Sequence, residues 1–427
     1  MTRSLNAKVV NHPAAAFTKS AWTTVRRPRR RPPPARGKLG TPFNPLDPVT
    51  ISDPPAVYRR LHAQPGVHPI GRGVYALASH HDVRAAVAAP DVLVSGTGVT
   101  AQFAPLPMLL TCDRPHHSEL RHLLSPHFTA ARSGAMEPAM REVAGRAVDR
   151  MLGHPGSDAV AELAVPLPMT VIARLIGVPD DDLDRLHRWS DGIVEGFNAD
   201  RSFAGAVHAA SAIRSTFALH RYMLAAFARL RREPGNDVIS ALLTSREAGH
   251  LRDDELFWLA LMLIVAGNET TTNLIASMLL ALARDPEAYR RLRAERDLIG
   301  PAVEEAARWG SPIQGLYRAA AADYVVGETA IPAGARVLLL FGAANRDPRV
   351  YAEPDRYVVD RAPSNHLGFG AGIHYCLGAH LARVEARVAL EEVLDRVAEI
   401  ELAGPVAWRS NPSVHGPGRL PLRLRAA

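Results

Sequence analysis

Three stretches of the chain repeat apolar residues at i, i+3 and i+4, the period of a helix with one buried face. They are "HHDVRAAVAA" (residues 80–89), "MEPAMREVAGRAVDRML" (136–152) and "AIRSTFALHRYMLAAFARLRR" (212–232). A fourth helix is expected from an N-cap at Asp253 to about Arg284. At 1.5 Å per residue it spans roughly 45 Å. Its first half is apolar on every side, which places it through the centre of the protein. Strand-like pieces are fewer: "GVYALA" (73–78), "DYVVG" (323–327) and "ARVLLLFG" (335–342). No internal repeat is evident. The pattern predicts a mainly α fold, one large helical domain with a small β-rich part.

Composition sharpens this picture. The chain has 427 residues and is 47% hydrophobic but only 6% aromatic, enough apolar material for a large core. Two cysteines, Cys112 and Cys376, cannot build a disulfide framework, which favours a reducing, cytoplasmic setting. The longest apolar run, "FWLALMLIVAG" (257–267), is shorter than the roughly 20 residues of a bilayer span. The net charge of +7 is misleading, because residues 1–40 hold ten cations and no acid; removing them leaves −3 on the remainder. Those cations include "RRPRRRPPPARG" (26–37), where like charges and prolines cannot build a core. Residues 1–41 are therefore expected to be a disordered basic, proline-rich extension, and 42–427 the folded domain. No nucleic-acid or membrane partner is expected, and the chain should be a monomer.

Cys112 reads as a small buried hydrophobe. Cys376 sits in "LGFGAGIHYCLGAH" (367–380), after a glycine-rich turn and before a helix. Free N–H groups at a helix start favour a thiolate, and glycines let a flat group approach closely. That combination suits an axial ligand to haem iron. Zinc would need more cysteines or histidines, and a cysteine hydrolase needs a base that no local signature supplies.

The segment "FGAGIHYCLG" resembles the haem-binding loop of the cytochrome P450 superfamily, matching it at Phe369, Gly370, Gly372, His374, Cys376 and Gly378. Three further patterns follow the family's order. "AGNETT" (266–271) interrupts the long apolar helix; Thr270 can bond back to the Ala266 carbonyl, and small Ala266 and Gly267 leave room for a ligand. The resemblance implies that Glu269 and Thr270 form the acid–threonine pair that handles dioxygen and its protons. "EEAARW" (304–309) carries Glu305 and Arg308, implied to be a buried structural pair completed by Arg356. His117, Arg121, Arg318 and His374 are implied to bind the two haem propionates.

The resemblance implies a haem-thiolate monooxygenase with haem b as cofactor. It would insert one atom of O2 into a small-to-medium apolar substrate, with electrons from a ferredoxin and an NAD(P)H-dependent reductase. A peroxide-driven peroxygenase and a non-catalytic haem sensor are the alternatives. The same resemblance lines the substrate pocket with Phe103, Val194, Val265, Ala266, Ile313, Leu316 and Val414, and places Arg383 and Arg387 at the electron donor's docking surface.

Overall fold

The computed structural model describes residues 33–100, 106–196, 203–245 and 251–427. Phe103 and the arginine run at 26–31 lie outside the described residues. The expected helices are present, as His80–Val87, Glu137–Gly153, Phe203–Arg232 and Asp253–Arg284. Asp253 is the first helical residue of the last rather than its cap. The Glu255 carboxylate instead accepts from the backbone N–H of Arg252, at 2.9 Å. Asp253, Asp254 and Glu255 together place three acids against the positive end of the helix dipole. The helix stops at Asp285, before Pro286, whose ring disfavours a helical residue ahead of it.

This central helix packs against Pro166–Leu175, Leu183–Glu195, Phe203–Arg232, Ile299–Gly310 and Ala379–Arg396. It is long and apolar enough to cross a membrane, but 78% of its most apolar stretch is buried within the protein. Residues 256–264 and 271–283 are all buried; between them Val265, Ala266, Gly267 and Thr270 are not. A break of this kind inside a core helix marks an internal opening on one side.

The larger sheet orders its strands Val67–Gly71, Val74–Leu77, Arg336–Leu339, Leu316–Ala320 and Leu93–Val94. Val74–Leu77 runs parallel to Arg336–Leu339, with Tyr75 opposite Val337; the other pairings are antiparallel. "DYVVG" forms Tyr324–Val326, which pairs separately with Thr329–Ile331.

Packed chain reaches upstream of Pro42, the expected boundary. Arg36 and Ala330 exchange backbone hydrogen bonds of 3.0 and 2.8 Å, and Gly40 donates to the Val67 carbonyl at 2.9 Å. The Thr329 hydroxyl donates to the Lys38 carbonyl at 2.7 Å. These are mostly backbone contacts, which need no apolar side-chain pattern and so leave no trace in the composition of residues 33–41.

Candidate active site

The Cys376 loop is held by its own backbone. Cys376 N–H donates to the Phe369 carbonyl at 2.9 Å, Gly370 N–H to Leu367 at 3.0 Å, and the Asn345 side chain accepts from Leu367 N–H at 2.6 Å. Gly370 and Gly372 have φ of 69° and 65°, the left-handed region that glycine enters without cost. At Gly372 a Cβ would also stand 2.8 Å from the Val87 carbonyl. Gly378 caps the helix Ala379–Arg396, and a Cβ built there would stand in open space.

The two cysteines differ in their surroundings. Burial raises the Cys376 thiol pKa, but the Gly378 N–H, Arg121 and Arg383 all pull toward the thiolate. Cys112 is pushed up to about 11 by burial, and the neighbouring Asp113 adds to the rise. Of the two, only Cys376 has neighbours that pull toward a charged sulfur against its burial.

Four cationic or donor groups gather near this loop. His117 is buried, its ring centroid 4.5 Å from that of His374, and neither of its ring nitrogens has a hydrogen-bond partner. His374 Nε2 lies 3.1 Å from Ser95 Oγ. Burial, then Arg318, His117 and Arg121, depress its pKa to about 3, so the ring is neutral. Arg318, on the strand Leu316–Ala320, is only 4% exposed, and its guanidinium donates to the Tyr317 carbonyl at 2.9 Å. Burial lowers its pKa to about 10, with the Asp113 charge opposing. That aspartate is already taken by the N–H groups of Ser95 and Gly96. Arg121 feels both Cys376 and His374, which joins the thiol and the cations into one site. Among the described residues, no carboxylate touches any of the four.

On the central helix the Thr270 hydroxyl donates to the Ala266 carbonyl at 2.7 Å, the expected back-bond. Ala266 faces the opening, whereas Gly267 serves a different neighbour. A Cβ at Gly267 would meet Ile172 Cδ1 at 3.1 Å, so this glycine admits the helix Pro166–Leu175 rather than a ligand. Glu269 is buried, with Arg409 Nη1 3.1 Å from its Oε2. Its pKa is pushed up to about 7, first by burial; Asp191 adds to the rise and Arg409 opposes it. Sequence reasoning missed Arg409 and Asp191, which lie on distant segments with no motif of their own.

Of the expected pocket residues, Val265, Ile313 and Leu316 are half-buried beside buried neighbours. Ile313 and Val414 meet through an antiparallel β-bridge. Val194 is buried on Leu183–Glu195, which packs on the central helix.

Glu305 and Arg308 are fully buried and paired two-to-two, with both bonds 2.7 Å. Arg308 also donates to the carbonyls of Asn345, Pro354 and Arg356, tying the helix Ile299–Gly310 to the chain that leads to the Cys376 loop. Arg361, not Arg356, completes the set, with Nε 3.0 Å from Glu305 Oε1. Arg356 contributes only its carbonyl, and its side chain turns outward to exposed Glu353 at 2.9 Å. Glu304, missed from sequence, binds His366 and Arg383 on the loop and its helix. Burial would raise its pKa, but those two partners pull it down to about 2. Arg387 likewise pairs with Glu137 at 2.6 Å and Glu391 at 3.0 Å. The two arginines expected to dock an electron donor are thus already committed to carboxylates.

Residues 210–398 match the sequence profile of cytochrome P450. Over 385 residues the chain is 38% identical to the beta-dihydromenaquinone-9 omega-hydroxylase of Mycobacterium tuberculosis (strain ATCC 25618 / H37Rv), covering 89% of this chain and 78% of that protein. It is 36% identical over 406 residues to the cytochrome P450 monooxygenase PikC of Streptomyces venezuelae, covering 91% and 94%. Among solved structures, CYP109E1 from Bacillus megaterium in complex with testosterone superposes with a TM-score of 0.80 at 30% identity, covering 87% of this chain and 98% of that one.

The chain belongs to the cytochrome P450 family. It is a haem-thiolate monooxygenase of organic substrates, with haem b as cofactor and electrons from a redox partner. The residues present fit that group. A buried guanidinium and an orphaned buried imidazole beside a cysteine want anionic partners, and the two propionates of haem are two carboxylates.

Proposed function

We propose that Cys376 supplies the thiolate and that His117, Arg121, Arg318 and His374 hold the propionates. Phe369, Gly370 and Gly378 shape the cradle, and Ala266 leaves room on the opposite side. The reading is carried by these four donors, two of them buried and none touching a carboxylate among the described residues, next to a cysteine whose neighbours pull toward its charged form. Bound haem supplies the activation of dioxygen and its transfer to carbon. Glu269 holds a proton near neutral pH, and Thr270 presents a hydroxyl at the opening. That hydroxyl now donates to Ala266, so it accepts from the cavity until it rotates and donates there.

The substrate is a small-to-medium apolar molecule held by shape. Val194, Val265, Ala266, Ile313, Leu316 and Val414 carry no charge, and Phe103 would complete the lining. A menaquinone hydroxylase and a testosterone-bound structure among the relatives fit a neutral, largely hydrocarbon ligand. Electrons come from a ferredoxin and its NAD(P)H-dependent reductase, in a cytoplasmic, monomeric enzyme. Arg383 and Arg387 are committed to carboxylates, so neither is a free charge for docking the donor.

The test begins with steroids and isoprenoid quinones screened for a Soret shift. With a ligand found there, Thr270→Ala should keep its affinity while product per NAD(P)H falls about tenfold or more and hydrogen peroxide rises, since general-acid steps contribute about 10²- to 10⁴-fold. Undiminished product per NAD(P)H in Thr270→Ala would remove this threonine from the reaction.

A further inference from the structure

The helix Phe203–Arg232 buries Leu219, Met223, Phe227 and Leu230 in the core, yet its outer face is apolar too. Ten positions between 206 and 228 are exposed; eight are apolar and the other two are Arg214 and Arg221. They recur every three or four residues, which lines them up in one stripe about 33 Å long. Val207, Ile213, Phe217 and Leu224 are 53%, 58%, 44% and 36% exposed. The solvent face of a helix ordinarily carries polar and charged residues, and a large apolar patch left outside marks an interaction surface.

The charges on this helix have one sign. It holds five arginines and no acid. Arg229 and Arg231 are engaged, by the Gly177 carbonyl and the Asp253 carboxylate. Arg214 and Arg221 lie within the stripe and have no carboxylate partner among the described residues. The occupant must therefore be apolar in its body and negative at its rim. A second copy of the chain fails that requirement, because pairing two such stripes brings arginines together with no acid on the face to answer them. An anionic bilayer meets it. Acyl chains accept the apolar side chains, and the arginine stems lie along them while the guanidinium groups reach lipid phosphates. A straight stripe also suits a flat surface.

We propose that the outer face of Phe203–Arg232 docks this enzyme on anionic lipid bilayers. Val207, Ile213, Phe217 and Leu224 enter the interface, and Arg214 and Arg221 bind lipid phosphates. This replaces the expectation that no membrane is a partner. The contact is peripheral, since the opposite face of the helix is held in the core. A hydrocarbon substrate of the kind proposed above dissolves in bilayers, so docking brings the enzyme to it. The docking does not depend on that reading and is measured without substrate.

The test is sedimentation of the ferric holoenzyme with vesicles of mixed phosphatidylglycerol and phosphatidylcholine. Binding is expected, and should be about tenfold or more weaker to phosphatidylcholine alone. Ile213→Ser, Phe217→Ser and Leu224→Ser combined should lower affinity for the mixed vesicles about tenfold or more. Arg214→Gln with Arg221→Gln should lower it about tenfold. The arginine pair buries no apolar surface, so it decides the matter if the triple variant folds poorly. Val350→Ser, at a comparably exposed valine outside the helix, should bind as wild type does. An unchanged Soret spectrum checks that each variant is folded. No binding by wild type overturns the proposal. Equal binding of wild type and both variants also overturns it, and assigns the attraction to the arginine run at 26–31. A wild-type mass in gel filtration that halves in the triple variant would make the stripe a contact between copies and overturn the lipid assignment.

Discussion

Cys376→Ala, produced with ample haem, is expected to lose almost all of its bound haem, and with it the long-wavelength Soret band of the ferrous carbon monoxide complex that names the family. Changing a group that merely supports a metal ligand costs about 10- to 100-fold in affinity, and removing the ligand itself costs more. Arg121 and Arg318, with the two histidines as donors, would still attract the propionates, so some weakly held haem should remain, without the thiolate's spectrum. Cys112→Ala is the control. Its thiol is pushed up to about 11 and has Asp113 for a neighbour, so it should leave both haem content and spectrum unchanged. Spectra of the carbon monoxide complex and the haem-to-protein ratio measure both outcomes. A wild-type spectrum from Cys376→Ala would mean that another residue ligates the iron.

The second large effect is on folding. Glu305→Ala should destabilise the protein by about 3 to 5 kcal/mol, because it leaves Arg308, with no solvent exposure, as an uncompensated buried charge. Arg308 bridges the helix Ile299–Gly310 to three carbonyls on the approach to the Cys376 loop, so haem affinity should fall as well. Arg361→Ala removes only one of several partners of Glu305 and should cost less. Arg356→Ala, at an exposed position, should stay within about 0.5 kcal/mol of wild type. Denaturant midpoints on the four proteins give the order. Equal effects from Arg356→Ala and Arg361→Ala would contradict the pairing described.

What was legible in the sequence was what is local. The central helix declared itself by an apolar run bounded by acids at one end and Asp-Pro at the other. The Cys376 loop did so by glycines whose spacing matches two left-handed turns. Thr270 found the carbonyl four residues back because helical geometry puts it there. Even the four propionate-binding candidates, scattered from His117 to His374, were assembled by resemblance rather than by any pattern linking them. What stayed hidden depends on direction and on distant pairing. Arg356 and Arg361 lie in the same irregular stretch, and composition cannot say which side chain turns inward. Arg409 reaches Glu269 across 140 positions, and the Asp191 charge acts on it from a separate helix. Arg383 looked like a free surface charge, because nothing in its own helix reveals Glu304 opposite it.

Arg318 has a consequence for how much of this protein a cell can keep. Its guanidinium is buried in the sheet with no carboxylate among the described residues, so the chain without haem carries an electrostatic cost that haem removes. Any ligand that binds only the folded state stabilises it by mass action, by about 4 kcal/mol at a thousand times its dissociation constant. Folding and haem supply then become one equilibrium, and haem-starved chains spend more time open to proteases. Arg318→Leu should separate the two halves of this effect. Its haem-free form should have a higher denaturant midpoint than haem-free wild type, and its haem-loaded form a lower one than loaded wild type. If Arg318→Leu shifts both forms in the same direction, the buried cation is not what couples abundance to cofactor.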